Sequence, residues 1–324
     1  TIYHLHGWSK VLSPAIFAAL RPVAARLVLH GHDYFNGCPN GGFFNYVTER
    51  DCPLVPLSRA CLASRCDKTS QAQKLWRVGR EGYRRVLAGG AAAGAARLLM
   101  IHPGQEPHFR RAGWPAEQLV AARNPVSPPL AQRVAAERNR SVLFIGRVSA
   151  EKGADLAAAA AREAGVPITF VGDGAEMARV RQLNPDAQML GRLDRAGVAA
   201  ALAQARVAVM PSRWAEPFGL VALEAAGSGV PVIVSRHALV ADEIAAAGLG
   251  LALDTSDIAA FAGALRALAD DDAQVEAMSR AGHAGYGALC TSEPQWAGLV
   301  LQSYRAVLDG AARADLQGAV RVSR

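Results

Sequence analysis

The chain has 324 residues, 51% of them hydrophobic and 19% charged, and a net charge of +7. That is an ordinary globular composition, long enough for two cored domains at ~100–200 residues each. No apolar run reaches the ~18 residues that would argue for a membrane span, and no basic start followed by an apolar stretch marks a secretory signal, so a cytoplasmic protein is expected.

The charge is uneven. Residues 1–135 carry a net +10 and residues 136–324 a net −3. A basic first half points to an anionic partner, either an inner-membrane surface or a phosphorylated acceptor, or else to scattered solvated arginines. No nucleic-acid motif accompanies it, so nucleic acid is not expected as a partner.

In chain order, Thr1–Leu5 and Leu27–His30 read as strands and Ser13–Leu20 as a helix. A Pro/Gly/Asn-rich loop over 36–68 holds four cysteines. Gln71–Leu87 reads as a strongly basic helix, and Leu98–Ile101 and Leu119–Ala122 as further strands. The Pro-rich stretch 124–129 and the charged segment to Arg140 read as a linker. Then short apolar strands, at Val142–Ile145, Ile168–Val171, Val207–Met210 and Val232–Val234, alternate with Ala-rich helices at Asp155–Ala164, Arg195–Ala205 and Leu220–Ala226. This alternation predicts a parallel α/β sheet with crossover helices. Ser292–Leu308 reads as an amphipathic helix and 311–324 as a polar tail.

Two segments carry the chemistry. Pro211–Pro231 runs from a strand end through a loop with Glu216 into a helix starting near Phe218, with Glu224 eight residues beyond Glu216. A helix start offers free amides and a positive dipole end, which suits phosphate. Gly219 permits close approach of a diphosphate. Phe144–Gly153 leaves a strand and enters a helix with Arg147 and Lys152, two cations at the sheet edge where α/β folds bind ligands. Singly, each of these residues is as readily a helix acid or a surface ion pair; the ordered set is the signal.

These segments, in this order, resemble glycosyltransferase family 4, retaining enzymes of the GT-B fold. Gly172-Asp173-Gly174, Leu190-Gly191-Arg192, His4–Trp8, His32–Phe35 and Asn124–Val126 are also similar to family segments, so the resemblance runs from residue 1 to about 308. It implies two Rossmann-like domains facing a cleft, the first (1–135) incomplete, the second (136–291) binding the donor, and a closing helix (292–310) packing back on the first. Two or three βα units of the family are absent ahead of residue 1, so a piece of a longer enzyme is expected. The resemblance implies that Arg147 and Lys152 hold the diphosphate, Glu216 contacts the sugar, His32 lies at the reacting centre and Glu224 binds the ribose. Gly146, Gly172, Arg192, Phe218, Gly219 and Leu220 complete the donor site. The implied reaction moves a sugar from a UDP- or GDP-sugar to a glycan or lipid-linked acceptor in bacterial polysaccharide or glycolipid synthesis. A nucleotide-sugar epimerase of the same fold and a non-catalytic binding protein are the alternatives.

Cys38, Cys52, Cys61 and Cys66 read either as a structural zinc site or as unligated thiols, since the spacing lacks a C-x2-C knuckle. Cys290 reads as a core residue. No Asp-x-Asp pair follows a strand, and Asp270–Asp272 reads as a solvated turn, so transfer without a metal is expected.

Overall fold

A computed structural model describes residues 1–90 and 94–322. The chain divides into two compact units: residues 1–124 together with the helix from Glu293, and residues 125–292.

The first unit carries β1 (Tyr3–His6), β2 (Leu27–Gly31), a small hairpin of β3 (Phe44–Asn45) and β4 (Arg50–Asp51), then β5 (Arg97–Met100) and β6 (Leu119–Ala121). The main sheet is parallel in the order β1-β2-β5-β6. Every residue of β2 is buried, as a central parallel strand requires. The helix Glu293–Val322 lays Val300 and Val307, with Trp296 and Tyr304, on Val28, Leu99 and Ala122. It includes residues 311–322, so most of the stretch read as a polar tail is helical; 323 and 324 lie outside the described residues.

The helix Gln71–Ala88 turns its charge inward. Lys74, Glu81 and Arg84 are buried, while Leu75, Trp76, Tyr83 and Val86 are exposed. The basic residues that suggested a solvated charged face are largely spent inside: Arg84 and Arg85 on Glu81, and Arg77 on Asp67.

The second unit carries β7 (Ser141–Ile145), β8 (Ile168–Val171), β9 (Gln188–Met189), β10 (Ala205–Met210), β11 (Val232–Ser235) and β12 (Gly250–Leu253) in one parallel sheet ordered β12-β11-β10-β7-β8-β9. β10 and β11 are buried along their whole length, hence their unbroken apolar character. The chain winds from β7 outward to β9, then returns to β10 on the other side. The topological switch therefore falls between β7 and β10, where open α/β sheets form ligand crevices.

Two readings are corrected here. The segment 125–140 is no free linker. Val126 donates to Thr291 O, Val134 to Ser228 O, and Arg133 to Glu137 and Ser279, so it packs on the second unit. Asp270–Asp272 is more than a solvated turn. Asp271 caps the following helix, and Asp272 pairs with the buried guanidinium of Arg206 at 2.6 Å. Among the described residues, no helix is long and apolar enough to cross a membrane.

Candidate functional site

Four loops leave the carboxyl ends of β7, β8, β9 and β10. They are pressed together backbone to backbone. Gly146 donates to Val171 O, Val148 to Asp173 O and Gly172 to Gly191 O. A Cβ at Gly172 (φ 129°) would lie 1.9 Å from Gly146 O, and one at Gly153 (φ 68°) 2.0 Å from Pro211 O. Glycine is required at both by space and by dihedral angle.

That compression fixes Lys152, which ends a single 3-10 turn immediately before Gly153. Its ammonium donates to Glu216 Oε2 at 2.6 Å, across from the β10 loop. Ser212 Oγ donates to the same oxygen at 3.1 Å, and the ammonium lies 5.8 Å from the Trp214 ring centroid. The β10 loop is clamped by Arg213, whose guanidinium forks onto both oxygens of Asp155 at 2.7 Å and also reaches Ala150 O. Neither Arg213 nor Asp155 was singled out from sequence. A cation directly before Trp214 and an acid two residues after Gly153 were the available signal.

Arg147 follows Gly146 at the end of β7, largely exposed, 3.5 Å from Glu151. Phe218 is buried, and Gly219 (φ 80°) is the N-cap of the helix Leu220–Gly227. The first amides of that helix, which follows the β10 loop, have no intrahelical acceptor. Glu224 lies in its second turn, half-buried; burial pushes its carboxyl up, with Arg195 pulling the other way. Arg192 is exposed and pairs with Asp173 at 2.8 Å. The structure thus joins Lys152 and Glu216 directly. It sets Arg147, Gly172, Arg192, Gly219 and Leu220 around the same strand ends and loops, and leaves Glu224 deeper along the helix.

This geometry is a sheet-edge cradle of glycine-lined loops around one lysine–glutamate pair. A family profile described as Glycosyl transferases group 1 matches residues 130–285, which take in the whole cradle. The second unit belongs to that family.

The glycogen synthase of Mycobacterium tuberculosis is 32% identical over 199 residues, covering 58% of this chain and 44% of that one. The GDP-mannose-dependent alpha-mannosyltransferase of Corynebacterium glutamicum is 31% identical over 185 residues, covering 55% and 42%. The chain therefore spans under half the length of these curated relatives. Among solved structures, sucrose-phosphate synthase from Thermosynechococcus elongatus superposes with a TM-score of 0.70 at 20% identity, over 95% of this chain and 73% of that one. Anabaena HepE in complex with UDP gives 0.64 at 18%, over 90% and 76%. These likenesses establish the GT-B fold.

The remaining candidates lie in the first unit. His32 directly follows β2, and its Nε2 lies 2.9 Å from His6 Nδ1. Rings of His4, His6, His30 and His32 stack on one another. Burial first, then mutual repulsion, holds their protonation down: His30 to about 2, His4 to about 4. His6 and His32 are lowered for the same leading reason. Cys38, Cys52, Cys61 and Cys66 line one small cavity with Lys74. Lys74 and Asn40 each donate to Cys66 Sγ at 3.0 Å. Burial pushes the Cys38 thiol up to about 11 against backbone N–H groups of Phe43, Gly42 and Asn40.

Proposed function

We propose that this chain is the donor-binding part of a retaining glycosyltransferase that uses a UDP- or GDP-sugar. The observation that carries the reading is the Lys152–Glu216 pair at the switch point, beside a helix N-terminus. The ammonium is held by a carboxylate. A bound diphosphate supplies a second anion, so Lys152 and Arg147 neutralise the phosphates and the helix amides cap them. Glu216 is then placed to accept from donor sugar hydroxyls, and Glu224 from the ribose.

Retention requires attack on the face the leaving group departs from. The bond from the anomeric carbon to the diphosphate oxygen breaks, a bond to the acceptor oxygen forms on that face, and the acceptor proton passes to the departing phosphate. The protein orients the partners and stabilises charge. The two cations supply what a divalent ion would otherwise supply, so turnover without added Mg²⁺ or Mn²⁺ is the expectation. His32 is the first unit's residue assigned to the reacting centre. Titration calorimetry of the chain with UDP, GDP and their sugars tests the reading: binding of at least one supports it, and binding of none overturns it.

The acceptor assigned is a glycan or lipid-linked sugar of a bacterial polysaccharide or glycolipid, met at the inner face of an anionic membrane. Support comes from the helix Gln71–Ala88, which exposes Leu75, Trp76, Tyr83 and Val86 with Arg65 and Lys68 exposed just before it. Aromatic and apolar side chains beside cations suit a membrane interface. Co-sedimentation with phosphatidylglycerol vesicles, weakened by salt and by Trp76→Ser, is the expected result. Absence of binding removes the membrane part alone.

A structural zinc at Cys38, Cys52, Cys61 and Cys66 belongs to the same reading. Backbone N–H groups at Cys38 and Cys52, and Lys74 and Asn40 at Cys66, suit thiolates. The sulfurs must draw closer to share one ion. Stoichiometric zinc in the purified chain, lost on Cys66→Ser, is the expected finding.

A further inference from the structure

The first unit holds a histidine cluster of which the proposed transfer uses only His32. Side chains alternate faces along a strand, so His4 and His6 share one face of β1. In the parallel register His4 sits opposite Val28, and His6 opposite His30 at the end of β2. His-x-His on each of two neighbouring strands therefore gathers four imidazoles at one corner of the sheet.

Ring nitrogens of His4, His6 and His30, one from each, lie within 4.8 Å of one another. His4 Nε2 and His30 Nδ1 are 3.2 Å apart. Two imidazoles on one tetrahedral zinc have nitrogens roughly 3.3 Å apart, from Zn–N bonds of about 2.0–2.1 Å. Both outer ligands are already aimed: Tyr304 OH is 2.7 Å from His4 Nδ1, and His32 Nε2 is 2.9 Å from His6 Nδ1. Hydrogen bonds of this kind on the far nitrogen are how metal-binding histidines are oriented.

His30 is the buried member of the set, 2% exposed. It meets the ion through Nδ1, the nitrogen beside His4 Nε2, and its Nε2 keeps the proton. His6, by contrast, is exposed, so the cluster opens to solvent on that side.

We infer that His4, His6 and His30 form a site for a divalent transition metal of the zinc class, with its open position toward His6 and solvent. Imidazole-only ligands select zinc, copper, nickel or cobalt over magnesium, calcium and manganese, which take oxygen ligands. The open position takes water or an oxygen of a bound ligand. The rings, which now stack and hydrogen-bond to each other, turn to converge on the ion. The inference does not rest on the donor-site reading, which concerns the other unit.

The test uses the whole chain, stripped of metal and titrated with Zn²⁺ and then Co²⁺ at neutral pH. The four-cysteine variant (each Cys→Ser) binds one equivalent through histidine, and its Co²⁺ form lacks thiolate charge-transfer absorption. His6→Ala, at an exposed position, loses that equivalent or weakens it at least tenfold, with its thermal unfolding unchanged. Tyr304→Phe weakens it roughly tenfold, the size of effect reported for orienting partners. In the wild-type chain, Zn²⁺ shifts the imidazole nitrogen resonances of His4, His6 and His30. Metal affinity untouched by His6→Ala, or histidine resonances unmoved at saturating Zn²⁺, overturns the inference. UDP or GDP calorimetry on the same samples reads the donor site separately.

Discussion

Lys152 Nζ lies 2.6 Å from Glu216 Oε2, joining two loops 64 residues apart in sequence. The lysine side chain is 30% exposed and the glutamate 15%, so the pair is partly desolvated yet open to a ligand. Lys152→Met removes a cation proposed for the diphosphate and leaves Glu216 with Ser212 as its named donor. Turnover is expected to fall on the order of 100-fold, the usual scale for one lost charge-stabilising group. Binding of the nucleoside diphosphate alone should weaken with it. Glu216→Gln separates the two roles, because its carbonyl still accepts from Ser212. Affinity for the sugar nucleotide should drop while affinity for the bare nucleoside diphosphate holds or improves. Calorimetry with both ligands on both variants checks this.

Gly153 holds that pair in place. Gly153→Ala puts a methyl 2.0 Å from Pro211 O at a φ of 68°. The left-handed conformation alone costs ~1–3 kcal/mol in a non-glycine residue, and the clash adds to it. Gly165 is the control. Its φ is 70°, but nothing lies within 4 Å of its would-be Cβ. Gly165→Ala should cost roughly 1 kcal/mol, from the dihedral angle only. Chemical denaturation of the two variants reads the difference, and only Gly153→Ala should also impair nucleotide binding.

The sequence made the second unit legible because its strands are buried on both faces and read as bare apolar runs, such as Val207–Met210 and Val232–Val234. β12 escaped because Gly250-Leu251-Ala252-Leu253 has no β-branched residue, and β9 because two residues carry no pattern. Lys152 and Glu216 were legible from motif order. Arg213–Asp155 was not, since a clamp between loops has no local signature. The helix Gln71–Ala88 read as strongly basic, but nothing in its sequence showed that Lys74 and Arg84 face inward, with Glu81 taking Arg84 and Arg85 and Asp67 taking Arg77. No spacing in the chain marks His4, His6 and His30 as a group, because strand register brings them together.

Acid should unfold this protein early. His4, His6, His30, His32 and His108 all hold their protons less tightly than an ordinary histidine at 6.5, with burial the leading cause. Below pH 6.5 the unfolded chain takes up protons that the folded chain refuses. Stability is therefore full above pH 6.5 and falls as the pH drops toward 4, where His4 and His108 begin to titrate in the folded state. Tm in chelator-containing buffer should decline steadily across that window. His108→Gln should flatten the decline, and a Tm that is level from pH 7 to pH 5 would contradict the account.

The buried cluster around Glu81 predicts an asymmetry between its partners. Both oxygens of Glu81 accept from Arg84 at 2.7 Å, and Oε1 also accepts from Arg85 at 2.9 Å. Arg84 and Glu81 have side chains only 1% and 3% exposed, and the Arg84 guanidinium lies 5.3 Å from the Phe17 ring centroid and 5.8 Å from that of Trp8. Glu81→Gln leaves two guanidiniums facing a neutral amide, one of them without water. Breaking a buried pair from one side costs about 3–5 kcal/mol, because the surviving charge stays desolvated. Arg85→Ala removes the partner that is 22% exposed and leaves the Arg84–Glu81 fork intact, so its cost should stay near 1 kcal/mol. Replacing both buried charges, as Glu81→Leu with Arg84→Met, should recover most of the Glu81→Gln loss, since neither desolvation cost remains. Urea denaturation of the four proteins orders them: wild type, then Arg85→Ala and the double variant, with Glu81→Gln the least stable. A double variant less stable than Glu81→Gln would mean that the fork orients the helix rather than merely balancing its charge.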